Sequence, residues 1–82
     1  MYYVYILICK DGNPYTGCTN NLRNRLYRHR TRQILATKQR LPFHLVAYFA
    51  FLSKYTTYNF GKYLKSGSGR AFIKKHLFKK VA

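Results

Sequence analysis

A chain of 82 residues can bury one modest core, since a domain of this size hides only about 60 to 65 percent of the surface that its unfolded chain exposes. Sixteen Lys and Arg face a single acid, Asp11, for a formal net charge of +15; a folded domain that repels itself so strongly is suited to a polyanionic partner. Nucleic acid is the first partner to consider and an anionic membrane surface the second. No stretch is long enough to span a bilayer: apolar runs such as Leu45 to Leu52, with eight residues, fall far short of the roughly 20 of a transmembrane helix. The N-terminus has no basic leader region, so no signal peptide is expected. Cys9 and Cys18 read as free thiols of a cytoplasmic protein. A zinc site joining them to His29, His44 or His76 has no familiar ligand spacing.

Residues 2 to 9, from Tyr2 to Cys9, are aromatic and β-branched almost throughout, which predicts a strand buried on both faces. Lys10-Asp11-Gly12-Asn13-Pro14 is a dense turn signal, and Tyr15 to Cys18 resumes extended chain, so the two segments predict a hairpin. Thr19, Asn20 and Asn21 offer side-chain oxygens to open a helix over 20–33. Within it Leu22 and Leu26 are expected to face the core, and Arg25 and His29, also four apart, to face elsewhere. Two tyrosines, Tyr5 and Tyr15, on adjacent strands would then meet Arg25 and His29 on one surface.

Thr37 to Leu41 predicts a basic loop, with Pro42 discouraging helix at Leu41. His44 to Phe51 predicts a third strand whose length and apolarity suit the centre of the sheet. Ser53 or Thr56-Thr57 can open a second helix with Phe60 and Leu64 inward and Lys62 and Lys65 outward. Gly67 fits its C-terminal cap, and Ser68 can open a last helix holding Phe72, Ile73 and Leu77. The resulting expectation is one α/β domain over residues 1–82, a small three-stranded antiparallel sheet flanked by about three helices.

These segments resemble the GIY-YIG nuclease family. Val4-Tyr5-Ile6 stands where the family has its first signature strand, Tyr15-Thr16-Gly17 stands for Tyr-Ile-Gly, and Arg25 and His29 match its helix arginine and histidine. Thr37-Lys38, Arg40-Leu41-Pro42-Phe43 and Lys62-Tyr63-Leu64-Lys65-Ser66-Gly67 are similar to small stand-alone members. The likeness covers residues 2 to 78 and extends to the catalytic domains of a bacterial excision-repair nuclease and of homing endonucleases. It implies the same fold and hydrolysis of DNA phosphodiesters, with DNA repair as one setting. It also implies Mg2+ or Mn2+ as cofactor, and roles for four residues. Tyr15 and His29 would activate or orient the attacking water, Tyr5 would position them, and Arg25 would stabilise the phosphate.

The residue types suit those roles. Arg25 can fork two hydrogen bonds onto phosphate oxygens. His29 starts near pKa 6.5, within reach of proton exchange at neutral pH. Tyr5 and Tyr15 start near 10, and surrounding cations are expected to lower them. One position departs from the family, which places its metal-binding glutamate immediately before the segment Lys62 to Lys65; here Gly61 stands there. Magnesium requires at least one carboxylate, and Asp11 is committed to the hairpin turn. The expectation is therefore weak metal binding, attenuated or lost chemistry, and retained affinity for nucleic acid, DNA before RNA.

Arg23, Lys38, Arg40, Lys62, Lys65, Arg70 and Lys74 are the expected contacts to the nucleic-acid backbone, with Lys75 beside them. Ser66-Gly67-Ser68-Gly69-Arg70 reads as a capped junction between helices in preference to a phosphate loop. A non-catalytic basic DNA- or RNA-binding module is the alternative function. High specificity would need a protein partner for targeting. An interfacial membrane peptide fits poorly, because it needs a helix with a broad apolar face.

Overall fold

The structure, a computed structural model, describes residues 1–78. Strand β1 (Tyr2–Cys9) turns into β2 (Pro14–Thr19), helix α1 (Leu22–Arg30) follows, and β3 (Phe43–Phe51) leads into α2 (Lys54–Lys65) and α3 (Gly67–His76). The sheet is antiparallel with order β2-β1-β3. Its centre is β1, whose Val4, Tyr5, Ile6 and Leu7 are all fully buried. Alternation sends Val4 and Ile6 to one side, against Leu64 of α2 and Ile73 of α3, and Tyr5 and Leu7 to the other, against Leu26 of α1. One strand thus supplies both halves of the core.

That arrangement displaces β3 from the centre expected for it. Its side chains are half-buried or exposed, never fully covered, so it serves as an edge. A strand with both faces buried, as β1 has, needs hydrogen-bonding neighbours on both sides, and the hairpin strand β2 occupies only one of them. Phe49 and Phe51 of β3 still contribute to the core, meeting Phe60 of α2 with ring centroids 4.9 and 5.6 Å apart.

The helices begin where short polar side chains can take up their free amides, but two boundaries differ from expectation. Helix α1 is shorter than 20–33. Asn21 caps it by accepting from the Asn24 amide at 3.0 Å. At the other end Arg32 takes a left-handed conformation, φ 63°. The Arg32 amide donates to the His29 carbonyl and the Gln33 amide to the Arg28 carbonyl, at 3.2 and 2.9 Å, a Schellman closure that stops the helix. Ser53 caps α2 through the Thr56 amide at 3.3 Å. Gly67 does not cap α2 and Ser68 does not open α3; Ser66 does both, its hydroxyl accepting from the Gly69 amide at 3.2 Å. With a single residue between the two helices, one extended serine serves both ends. Among the described residues no helix is long and apolar enough to cross a membrane.

A left-handed arginine is strained by contact between its Cβ and the backbone, which glycine avoids. Arg32→Gly is expected to raise stability by about 1 kcal/mol in urea unfolding. Arg32→Ala, which removes the same charge and keeps the Cβ, should give no such gain.

Candidate functional site

The β1–β2 register sets Tyr5 opposite Gly17 and Leu7 opposite Tyr15, so both tyrosines point to the α1 side of the sheet. A methyl group added at Gly17 would collide with the Tyr5 ring, which is why Tyr15-Thr16-Gly17 ends in glycine. Helix α1 brings His29 over this pair. Ring centroids lie 6.3 Å apart for Tyr5 and Tyr15, 5.6 Å for Tyr5 and His29, and 5.2 Å for Tyr15 and His29.

Behind the rings runs a buried chain of hydrogen bonds. Tyr5 Oη lies 2.8 Å from His29 Nε2, and His29 Nδ1 lies 2.7 Å from Thr37 Oγ1. Tyr5, His29 and Thr37 are each 0% exposed. Burial, reinforced by Arg25 and Arg28, holds His29 down to about pKa 4, so it is neutral at pH 7. A neutral ring has one donor and one acceptor. The assignment that satisfies every partner has the Tyr5 hydroxyl donating to Nε2 and Nδ1–H donating to Thr37. Thr37 can in turn donate to the Ile34 carbonyl at 3.5 Å.

Three expectations change here. His29 does not face away from the core; it lies fully buried beside Leu26, and its affinity for protons falls well below the ordinary histidine value. Tyr5 does not drop below 10. Burial pushes it up to about 12, with the neighbouring Tyr15 adding to the rise and Arg25 opposing it. Thr37, expected only as part of a solvated basic loop, is the inner anchor of the chain. No periodicity marks a loop threonine eight positions beyond His29; the only hint in the sequence was its place in Thr37-Lys38, a stretch shared with the family.

Solvent reaches the group through its outer members. Tyr15 and Arg25 are half-buried, and Arg25 lines a hollow of about 280 Å³ with Cys18, Thr19, Lys54 and Thr57. Lys54, the first residue of α2, comes beside Arg25 only through the tertiary fold, and sequence spacing gave no sign of it. Two cations over a polar floor suit a phosphate diester.

The second-helix glycine meets this region from the other sheet face. Cys18, paired with Val4 and so pointing towards α2, donates its thiol to the Thr57 carbonyl at 3.8 Å. A Cβ placed on Gly61 would stand 2.8 Å from Cys18 Sγ. The thiol thus occupies the space into which a longer residue at 61 would start. The one acid, Asp11, is bound elsewhere: Arg40 Nε and Nη2 donate to its two oxygens at 2.6 and 3.2 Å, and the Asn13 amide to Oδ1 at 3.0 Å. These bonds, the Arg40 pair foremost, hold its carboxyl below the usual carboxylate range. Among the described residues no three His, Cys, Asp or Glu side chains gather as metal ligands. A thiol, hydroxyls and amides between two cations do not fit a hard divalent ion, which takes carboxylate oxygens.

Basic residues expected on one binding surface fall at several places. Arg40 is committed to Asp11 and to the Asn13 carbonyl, so it locks the hairpin turn instead of standing free for a phosphate. Arg70 and Lys74 flank a hollow of about 400 Å³ beside Gly12, Asn13 and Pro14, at the hairpin end of the sheet. Arg23 lies in a further hollow along α1. Lys38, Lys62, Lys65 and Lys75 are exposed on the loop, on α2 and on α3.

A three-stranded sheet with one short helix over its tyrosine face and two over the other defines a small α/β domain. Residues 1–77 match the GIY-YIG catalytic domain, and the chain belongs to the GIY-YIG family. Among relatives, a UPF0213 protein of Halalkalibacterium halodurans is 48% identical over 54 residues, 65% of this chain and 57% of that protein. Another, of Limosilactobacillus reuteri, is 35% identical over 72 residues, 84% of this chain and 75% of its own. The chain thus spans little more than half of the first of these. The solution NMR structure of a UPF0213 protein from Bacillus halodurans superposes with a TM-score of 0.60 at 35% identity, covering 95% of this chain and 88% of that one.

The buried histidine makes stability depend on pH. Its folded pKa lies below the unfolded value near 6.5, so the unfolded chain binds more protons between pH 6.5 and about 4. Stability is therefore full above 6.5 and falls as acid is added through that window. Urea unfolding should show a loss of about 2 kcal/mol between pH 7 and pH 5, and His29→Gln should remove most of that slope.

Proposed function

We propose that this domain binds DNA through the Arg25–Lys54 hollow and that its phosphodiester chemistry is strongly attenuated. The observation that carries the reading is the position of Cys18 against Gly61, together with the engagement of the one acid by Arg40. The site keeps cations for a phosphate and offers no carboxylate for a metal.

In this reading a backbone phosphate sits between Arg25 and Lys54, held by the planar guanidinium fork on one side and a point charge on the other. Tyr15 is the phenol that meets the substrate. His29, with both nitrogens engaged inside the core, acts through Tyr5: its neutral ring accepts a hydrogen bond from the Tyr5 hydroxyl and keeps that phenol oriented. Divalent metal assistance is worth several kcal/mol of transition-state stabilisation, and forgoing about 4 kcal/mol slows cleavage roughly a thousandfold. A module that binds nucleic acid without cutting it is the limiting case of the same reading.

Two measurements test it. Duplex binding should weaken with salt at a logarithmic slope of about −0.9 per phosphate neutralised, and Arg25→Gln should reduce that slope by about 1. Binding that ignores salt would count against the whole reading. For the chemistry, Gly61→Glu combined with Cys18→Ala, which makes room for the new side chain, should raise magnesium-dependent plasmid nicking about a thousandfold. Gly61→Glu alone should gain less, because the thiol obstructs it. Adding Tyr15→Phe should abolish the gain, and an unchanged rate in a well-folded double variant would remove position 61 from the chemistry.

A further inference from the structure

Helix α1 has nine residues and spans only about 14 Å, so it leaves part of its sheet face uncovered. On that part Tyr48 of β3, the register partner of Tyr5, is 55% exposed. Tyr3 of β1 meets it in an edge-to-face contact, with ring centroids 6.2 Å apart and planes at 63°. The contact fixes the Tyr48 ring without covering it. Between this pair and α1 lies a hollow of about 480 Å³, floored by Leu22 and Leu26 and rimmed by Arg23 and Arg30. Asn20 borders both this hollow and the Arg25–Lys54 one, so the two adjoin around the start of α1.

We propose that this groove is a subsite for unpaired nucleotides of single-stranded DNA, in which a base stacks on Tyr48 while Arg23 and Arg30 hold the flanking phosphates. The assignment rests on the DNA-binding reading above and extends it from the phosphate to the base. An exposed, braced aromatic beside two arginines is the pairing that single-strand binding requires, a flat π surface next to cations that track the backbone. Duplex DNA keeps its bases stacked internally and offers this ring no face. A second copy of the chain would bring another +15 against Arg23 and Arg30. The leucine floor favours deoxyribose, since a 2′-hydroxyl pressed upon it would lose water without gaining a partner. A strand lying here would pass Asn20 into the neighbouring hollow, so the domain is suited to junctions where duplex gives way to single strand.

The test uses fluorescence anisotropy at fixed salt with a short oligothymidylate, its RNA counterpart and a duplex. Tyr48→Ala should weaken binding of the single-stranded DNA about tenfold and leave duplex affinity unchanged, while Tyr48→Phe should retain wild-type affinity for both. Circular dichroism checks that each variant is folded. If Tyr48→Ala binds single strands as tightly as the wild type, the stacking subsite is wrong and the phosphate site stands. If the wild type binds neither DNA, the underlying reading falls with it. RNA bound as tightly as DNA would overturn the choice of sugar.

Discussion

Full burial of Val4, Tyr5, Ile6 and Leu7 is the constraint on which the domain depends. A strand with no exposed side must have a layer over each face and a partner strand at each edge. Among the described residues the five other elements are all used to meet that demand. The hairpin and β3 supply the edges, α1 covers one face, and α2 and α3 cover the other. Even the candidate site is part of this arrangement, because Tyr5 is at once a core side chain and the inner phenol of the aromatic cluster.

Tying the site to the core explains its electrostatics. Near neutral pH, Tyr5 and His29 both remain uncharged, since taking either ion out of water would be costly. Their polar atoms are satisfied by each other and by Thr37. The cluster therefore has a neutral interior with Arg25 beside it, and Arg25 also lines the neighbouring hollow with Lys54. Such a division suits recognition of an anion, with charge confined to the wet rim where desolvation is least.

The single carboxylate is used structurally. Asp11 ties the hairpin turn to Arg40 and the end of the long loop, with the Lys10 amide donating to the Arg40 carbonyl at 2.9 Å as a further clasp. In the same way Cys18 and Gly61 form a complementary pair, a thiol filling the room that a glycine leaves. Gly61 is buried within a helix, where glycine costs about 1 kcal/mol relative to alanine, and the close approach of β2 to α2 gives that choice a packing reason.

How much of this was legible beforehand differs by kind of feature. The strand character of residues 2 to 9, the turn after Cys9, the opening of a helix at Ser53 or Thr56-Thr57 and the inward pair Phe60 and Leu64 follow from local propensity and spacing, and the structure chooses Ser53 as the cap. Local signals failed where two elements compete for one residue, as at Ser66, or where an arginine adopts a glycine's conformation, as at Arg32. They also could not order the sheet, because β3 is as apolar as a central strand and only the burial of β1 decides which one lies inside.

Sequence alone determined the charge, the scarcity of acids, the family motifs and the glycine at 61. Tertiary structure alone decided the protonation of Tyr5 and His29, the partnership with Thr37, the meeting of Arg25 with Lys54, and the exposure of Tyr48. Each of these depends on which atoms exclude water from which others. That is set by contacts between residues far apart in the chain, and spacing along the sequence does not record it.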